Sequence, residues 1–195
     1  MRYFKLNPNV TSKKWKGILN LGELRHKNKE LDEVELAEQK QEIILTPLHY
    51  EVLIAGEISP VNTIGADFLV FDEAIPGLET LHTYGVQYVP LLNKELKHRY
   101  ILMHVFNHID CVDWTLSAYE PWPKEKEVKD WQNPRGKFFF KPVLIQEKIP
   151  GQLHVFRLKE WGGAFNIIVS EEFKQAVLSL SFDHSFLEFH PLSVH

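Results

Sequence analysis

Residues 100–113, YILMHVFNHIDCVD, decide the predicted fold of this chain. In an extended chain, successive side chains from the tyrosine to the cysteine fall on opposite faces, and this assignment is compatible with a β-strand. Met103 and Val105 fall on one face of the strand, whereas Leu102 and Phe106 fall on the other. Because both faces carry large apolar groups, we expect this strand to lie in the interior of a sheet.

Two later stretches add to the same predicted core. Residues 154–160 (HVFRLKE) indicate a strand, and residues 167–177 (IIVSEEFKQAV) indicate a strand that runs into a helix. The hydroxyl of Ser170 is suited to cap a helix that begins at Glu171, where acidic side chains favour the positive end of the helix dipole. The helix is expected to bury one stripe of apolar side chains, which are Phe173, Ala176, Val177 and Leu180.

Short β-rich runs predict further strands along the chain. They lie at residues 1–6, 42–48, 50–55, 66–71, 86–92 and 186–192. Residues 137–146 and 153–158 predict a hairpin, because a Pro-Gly turn signal separates them. Residues 13–29 are basic, contain two glycines and predict an irregular, solvated segment. Pro76 leaves room only for a short helix after it.

The order of these elements predicts an α+β protein: one domain over residues 1–195, with a mostly antiparallel or mixed sheet and a few short helices. A formal net charge of −4 gives the chain no overall attraction to phosphate backbones, which disfavours nucleic-acid binding. No apolar run approaches the roughly 20 residues of a membrane span, and the first residues do not form a signal peptide. We therefore expect a cytoplasmic protein.

The sequence does not assemble a recognisable catalytic, metal or cofactor motif. Cys111 is the single cysteine, and its setting beside Asp110 predicts a buried, unreactive thiol. His104 and His108 have a spacing that binds zinc on a helix, but on the predicted strand their side chains lie about 13 Å apart. The glycine pair at residues 162–163 matches no phosphate-binding or dinucleotide-binding pattern. A metal-dependent or other hydrolytic enzyme that uses His104, His108 and Asp110 is the alternative hypothesis.

An acidic stretch at residues 30–42 follows the basic segment, and Lys40 is the only cation within it. Apolar residues interleave with the acids, and this pattern is open to a short helix or an extended edge. The stretch is either a solvated face or an acidic surface for a basic partner. The acids that would contact such a partner are Glu30, Asp32, Glu33, Glu35 and Glu38.

A second candidate surface is the proline-rich segment at residues 119–136, YEPWPKEKEVKDWQNPRG. It is too long for a simple turn and predicts a protruding loop. Trp122 and Trp131 either fold back over the sheet or remain exposed, where tryptophan is enriched among the residues that dominate binding energy. Trp161 has the same two interpretations.

Four stretches in succession resemble the bacterial polymorphic-toxin immunity-protein family first described from a myxobacterial protein. They are NHIDCVDWTLS at 107–117, HVFRLKE at 154–160, IIVSEEFKQAV at 167–177 and LEFHPL at 187–192. The resemblance is strongest over residues 100–192 and weak over residues 1–99. Members share an I-D-x-x-D…S, I-F-R-L-K and V-S-E-E succession. The residues that match recurring family positions are Asp110, Asp113, Ser117, Arg157 and Ser170, and no catalytic role comes with them.

The resemblance implies a protein that is not an enzyme. Its task would be to bind a cognate toxin domain, delivered by a neighbouring or sister cell, and to block it by stoichiometric occlusion. The expected partner is a protein, with no cofactor, nucleic acid or membrane, and a homo-oligomer is compatible with that role. A stable large homo-oligomer would instead favour a third class of function, an assembly subunit.

Overall fold

The computed structural model describes residues 1–27, 29–44, 46–65, 68–129, 132, 135–159 and 166–195, with the main chain alone described at 33, 34 and 138–140. Strands occupy 42% of the described residues. The α+β prediction is therefore correct about the mixed sheets and the short helices, but the balance is further toward β-structure than we expected. Trp131, Trp161 and the glycine pair at 162–163 lie outside the described residues.

The largest sheet has seven strands in the order β3-β2-β4-β7-β8-β6-β5. Its strands in chain order are β2 (Asn20–His26), β3 (Lys29–Glu30), β4 (Leu48–Ile54), β5 (Val61–Ile64), β6 (Phe68–Asp72), β7 (Val86–Leu92) and β8 (Arg99–Val105). All its pairings are antiparallel except β4 with β7, where Leu48 and His49 pair with Leu91 and Leu92.

The second sheet has five strands in the order β15-β1-β14-β13-β9. Its strands are β1 (Tyr3–Pro8), β9 (His108–Ile109), β13 (Val155–Leu158), β14 (Ile167–Ser170) and β15 (Leu187–Pro191). Two small ribbons pair β10 (Ala118–Pro121) with β11 (Gly136–Lys141) and β12 (Val143–Leu144) with β16 (Ser193–Val194). The first residues of the chain thus form a strand between β14 and β15, far along the sequence.

The helices of the described residues are short. They are α1 (Glu33–Glu38), α2 (Glu171–Ser179) and the 3-10 turns Lys13–Trp15, Leu78–Leu81, Gln146–Lys148 and His184–Phe186. The turn at Leu78–Leu81 is the short helix expected after Pro76, and it follows Gly77, whose φ of 80° favours glycine. None of the helices described is long and apolar enough to cross a membrane.

The stretch 100–113 forms two strands rather than one. The first strand, β8, is interior as predicted, since β6 and β7 pair with its two edges. The chain then leaves this sheet, and His108–Ile109 forms β9, which pairs in parallel with β13 of the other sheet. The alternation of faces can be counted across Phe106 and Asn107 without a break, because a change of sheet leaves no mark in a period of two.

The strand-to-helix unit at 167–180 is confirmed. The side chain of Ser170 accepts a hydrogen bond from the N–H of Phe173, 3.2 Å away, at the start of α2. Phe173, Val177 and Leu180 are buried, and Ala176 packs against the same cluster. The capping residue and the apolar stripe both predicted a helix from Glu171, and both are present in the structure.

Three predictions based on local pattern are wrong. Residues 42–44 are not in a strand, and β4 begins only at Leu48, after Pro47. The basic segment contains β2, whose Leu21 and Leu24 are buried. The hairpin across Pro150-Gly151 does not form, because β12 pairs with β16 and β13 pairs with β14 and β9.

The two main sheets pack face to face. Leu6 and Ile167 of the five-stranded sheet share one buried cluster with Phe71 and Met103 of the seven-stranded sheet, and α2 adds to it. A second cluster covers the other face of the seven-stranded sheet, around Leu102. A third covers the outer face of the five-stranded sheet and contains Cys111.

Candidate interaction surface

The acidic stretch is part strand and part helix. Glu30 ends the short strand β3, and the carboxylate of Asp32 accepts a hydrogen bond from the N–H of Glu35, 3.0 Å away, at the first turn of α1. Both alternatives left open by the sequence therefore occur in succession. Glu30, Asp32, Glu35 and Glu38 are exposed, and the side chain of Glu33 lies outside the described set.

The inner face of this acidic segment, residues 30–43, is buried. Leu36 is 5% exposed, Ala37 is fully buried and Ile43 is 5% exposed. All three belong to the cluster that contains Leu91 and Leu102 from the middle of the seven-stranded sheet. Burial of these apolar groups fixes the segment to the sheet and directs its carboxylates to solvent.

Three polar side chains from the sheets hold the main chain of the segment. His104 Nε2 lies 3.1 Å from the carbonyl oxygen of Gln41, and His108 Nε2 lies 3.0 Å from that of Ala37. Gln87 accepts from the N–H of Ile43 at 2.7 Å and donates to its carbonyl at 3.2 Å. The sequence did not reveal this role. The signal in the sequence was His104, which stands among apolar residues of a strand predicted to be interior. A buried histidine there needs a hydrogen-bond partner.

Burial controls the protonation of these histidines. It lowers the pKa of His104 to about 4, against the weaker opposing effect of the Gln41 carbonyl. At neutral pH the ring is therefore uncharged, and its Nε2–H donates to that carbonyl. Burial also lowers the pKa of His108, whereas the carbonyls of Ala37 and Phe106 favour its charged form. Both rings are occupied by structural hydrogen bonds.

The outer face of the segment carries several exposed carboxylates. Among the described residues, none forms an ion pair with the carboxylates of Glu30, Glu35 or Glu38, although surface pairs occur elsewhere, such as Arg25 with Glu51 at 3.3 Å. Exposed charges of one sign produce a field that attracts an oppositely charged partner over about 10 Å at ordinary ionic strength.

The proline-rich segment at residues 119–136, called the tryptophan segment below, begins and ends in a two-stranded ribbon. β10 and β11 pair antiparallel with irregular register, so the ends of the predicted loop are strands. Trp122 is half-buried, and the ammonium of Lys126 lies 3.8 Å from the centre of its ring. Such a cation–π contact holds the ring in a defined orientation. Trp131 lies beyond the described part of this segment.

The residues of the enzyme hypothesis do not form one site. His104 is fully buried in β8, His108 belongs to β9 in the other sheet, and Asp110 is exposed. Within the described ranges, no group of three His, Cys, Asp or Glu side chains could hold a metal ion. Cys111 is fully buried, and burial together with the Asp110 charge raises the pKa of its thiol to about 12.

One histidine does contact a serine, but the pair is structural. His154 Nδ1 lies 3.0 Å from the hydroxyl of Ser170, which is fully buried and already caps α2. A nucleophile needs access to its substrate. This serine has none, because the helix that it caps and the strand that carries it enclose the hydroxyl.

The other residues singled out by resemblance serve the framework. Asp113 accepts from the N–H groups of Thr115 and Leu116 at 2.8 and 3.1 Å. The hydroxyl of Ser117 accepts from the N–H of Val143 at 2.9 Å. Arg157 is 2% exposed, and its Nε donates to the carbonyl of Val105 at 3.0 Å. That bond joins the five-stranded sheet to the end of β8.

A comparison with known families gives one match. The model described as "Immunity protein family (Imm11)" matches residues 77–193, which is more than half of the chain. The match confirms the resemblance found in the sequence and extends it upstream of residue 100. No curated protein matches the chain.

Proposed function

The chain belongs to the immunity protein family Imm11, and from this membership we propose that it binds a cognate toxin domain and neutralises it by stoichiometric occlusion. The protein acts as an inhibitor in the cytoplasm, where the toxin would otherwise act on the cell. The family match carries this proposal. Inhibition by occlusion needs a complementary surface of about 800 Å² on each partner and no reacting groups.

The acidic segment is the first surface proposed to meet the toxin. Its inner face is fixed by buried apolar contacts and its main chain by His104, His108 and Gln87, so its outer carboxylates are held in place before the partner arrives. Preorganised charge speeds association and lowers the entropy lost on binding. A basic toxin, such as one that grips phosphate, would suit this face.

The tryptophan segment is the second proposed contact. Its half-buried Trp122 keeps an amphipathic ring at the surface beside Lys126. Tryptophan side chains of this kind supply a large part of the binding energy at many interfaces. The contribution of Trp131 stays a prediction from the sequence.

Co-expression tests the proposed function directly. The toxin domain encoded by the neighbouring gene is induced in a sensitive host with and without this protein. We expect survival only when the protein is present, and co-purification of the two chains in a one-to-one complex. A toxin that still kills in the presence of abundant, folded protein would overturn the proposal.

Charge reversal tests the acidic segment. Glu33→Lys, Glu35→Lys and Glu38→Lys combined should slow association with a catalytically inactive toxin domain by about tenfold at low salt, because electrostatic steering is reversed. The difference should shrink as salt is added. Stopped-flow or surface-based kinetics measure the rates. Glu79→Lys with Glu147→Lys is the control, since both acids are exposed outside the segment. Equal rates for the two variants would remove the segment from the interface.

A further inference from the structure

A groove of about 540 Å³ lies beside the acidic segment, between β2, β4 and the residues that lead into α1. Its lining combines three leucines with three acids and contains no basic residue. The lining side chains that define it are Leu21, Leu31, Leu53, Glu23, Glu30 and Asp32. Leu21 is buried beneath the groove, whereas the three acids are exposed. The groove therefore has an apolar floor and a negative rim.

The position of Leu53 explains why apolar surface remains open here. Among the described residues, β4 pairs with β7 only through Leu48 and His49, so the second half of β4 extends beyond its neighbour. Leu53 is 66% exposed in that half. It lies over Gly22, where a β-carbon would come within 3.1 Å of its Cδ2 atom. The absence of a side chain at position 22 leaves room for Leu53 to lie against the main chain of β2.

We propose that this groove receives a lysine or arginine side chain from a basic segment of the toxin domain. The inference rests on the proposed function and deepens it. Lysine and arginine carry an apolar stem and a charged head, which match the leucine floor and the carboxylate rim. A hydrophobic side chain of a partner would instead bury the carboxylate of Glu30 without offering it an opposite charge.

Charge also decides against a second copy of this chain as the occupant. Two copies that met through this face would bring the rims of Glu23, Glu30 and Asp32 together, and the chain already has a net charge of −4. Like charges at such short range oppose association. The groove further lies outside residues 77–193, the part shared with the family.

The test uses the full-length protein and a catalytically inactive form of the toxin domain that it neutralises. Glu30→Lys reverses the rim, and Leu53→Arg places a cation over the floor. Each should weaken binding by about tenfold or more in calorimetry, as for other central interface positions. The matched controls are Glu147→Lys and Leu116→Arg, which change exposed residues away from the groove. Thermal unfolding of all four variants should match the unaltered chain, because each changed side chain is exposed.

A charge-swap experiment identifies the direct contact. A toxin variant in which one lysine or arginine is replaced by glutamate should lose affinity for the unaltered protein and regain it with Glu30→Lys. Unaltered binding by Glu30→Lys and Leu53→Arg, with protection intact, would overturn the groove assignment and leave the proposed function standing. A homodimer that Leu53→Arg dissociates without a change in toxin affinity would overturn it too. Failure of the unaltered protein to bind any toxin would overturn both.

Discussion

Three polar side chains of residues 77–193, which match the family, and two carboxylates of residues 1–76, which precede the match, have different surroundings. In the matched part, Arg157, Ser117 and Ser170 are directed at main-chain atoms and join one element to another. In the preceding part, Glu30 and Glu38 face solvent. Side chains of the first kind hold elements of the fold together, whereas carboxylates of the second kind are accessible from solvent.

The two parts are nevertheless interwoven in space. β1 comes from the preceding part and lies between β14 and β15 of the matched part. β6 likewise pairs with β8 and extends the seven-stranded sheet. The framework is therefore complete only when both parts of the chain are present.

Removal of residues 1–8 should have the largest effect on stability. It takes away β1, with Tyr3, Phe4 and Leu6 buried in two clusters, leaves β15 without its partner strand and opens one edge of β14. We expect loss of cooperative unfolding, because a gap opens within the sheet and the core. Chemical denaturation followed by circular dichroism measures it, with a chain that lacks only Met1 and Arg2 as the control. A truncated chain with an unchanged midpoint would show that the two sheets do not depend on β1.

Lowering the pH tests the hydrogen bond between His104 and the carbonyl of Gln41, which links the two parts of the chain. His104 has a pKa of about 4 when folded and about 6.5 when unfolded, so the unfolded chain binds more protons between these values. Its contribution to the free energy of unfolding should therefore fall by up to about 3 kcal/mol as the pH drops from 7 to 4.

Urea denaturation across this pH range makes the measurement. His104→Gln should flatten the pH dependence, and His82→Gln, at an exposed position, should not. Parallel pH profiles for the two variants would contradict this account of the His104 hydrogen bond. Asp113 and Asp183 have pKa values lowered to about 2 by hydrogen bonds to their carboxylates, so their contributions to stability are lost only at more acidic pH.

Ser170→Ala should have the smallest effect on stability, and it tests the cap of α2. Loss of the cap leaves the N–H of Phe173 without its partner at the start of α2, which should lower the free energy of unfolding by about 1 kcal/mol. Toxin binding should be unchanged when the protein is folded. Ser179→Ala, at the exposed end of the same helix, should alter stability by less than about 0.5 kcal/mol. Equal losses in the two variants would argue against the cap.

Features that depend on neighbours in the sequence were predictable. The strand at 167–170, its cap at Ser170 and the buried stripe of α2 follow from signals within a few residues of one another. The interior position of β8 followed from its two apolar faces. The burial of Cys111 was also predicted, because an unpaired cysteine commonly behaves as a small hydrophobic residue.

Features that depend on distant pairing were not predictable. β2 was missed because charged and glycine residues dilute its pattern, yet its pairing with β4 buries Leu21 and Leu24. The predicted hairpin failed because β12 and β13 find partners far along the chain. A turn signal shows that the chain bends, but it does not select which strand lies alongside.

The charges of the candidate site were predictable, whereas the contacts that attach it to the sheet were not. The acidic residues are visible in the sequence as a block. The inward positions Leu36, Ala37 and Ile43 are ordinary apolar residues whose role appears only when the segment lies on the sheet. The same holds for the groove, since Leu53 and Glu30 are brought together by the pairing of β2 with both β3 and β4.

His104, His108 and Gln87 grip only peptide atoms of the acidic segment. Such a clamp does not distinguish one outward side chain from another, so it tolerates wholesale replacement of the outward-facing residues as long as the three inward apolar positions are kept. A library randomised at those outward positions would retain the same cradle while sampling new charges and shapes. The surface that we propose to meet the toxin is thus one whose outward side chains can change on an unchanged scaffold.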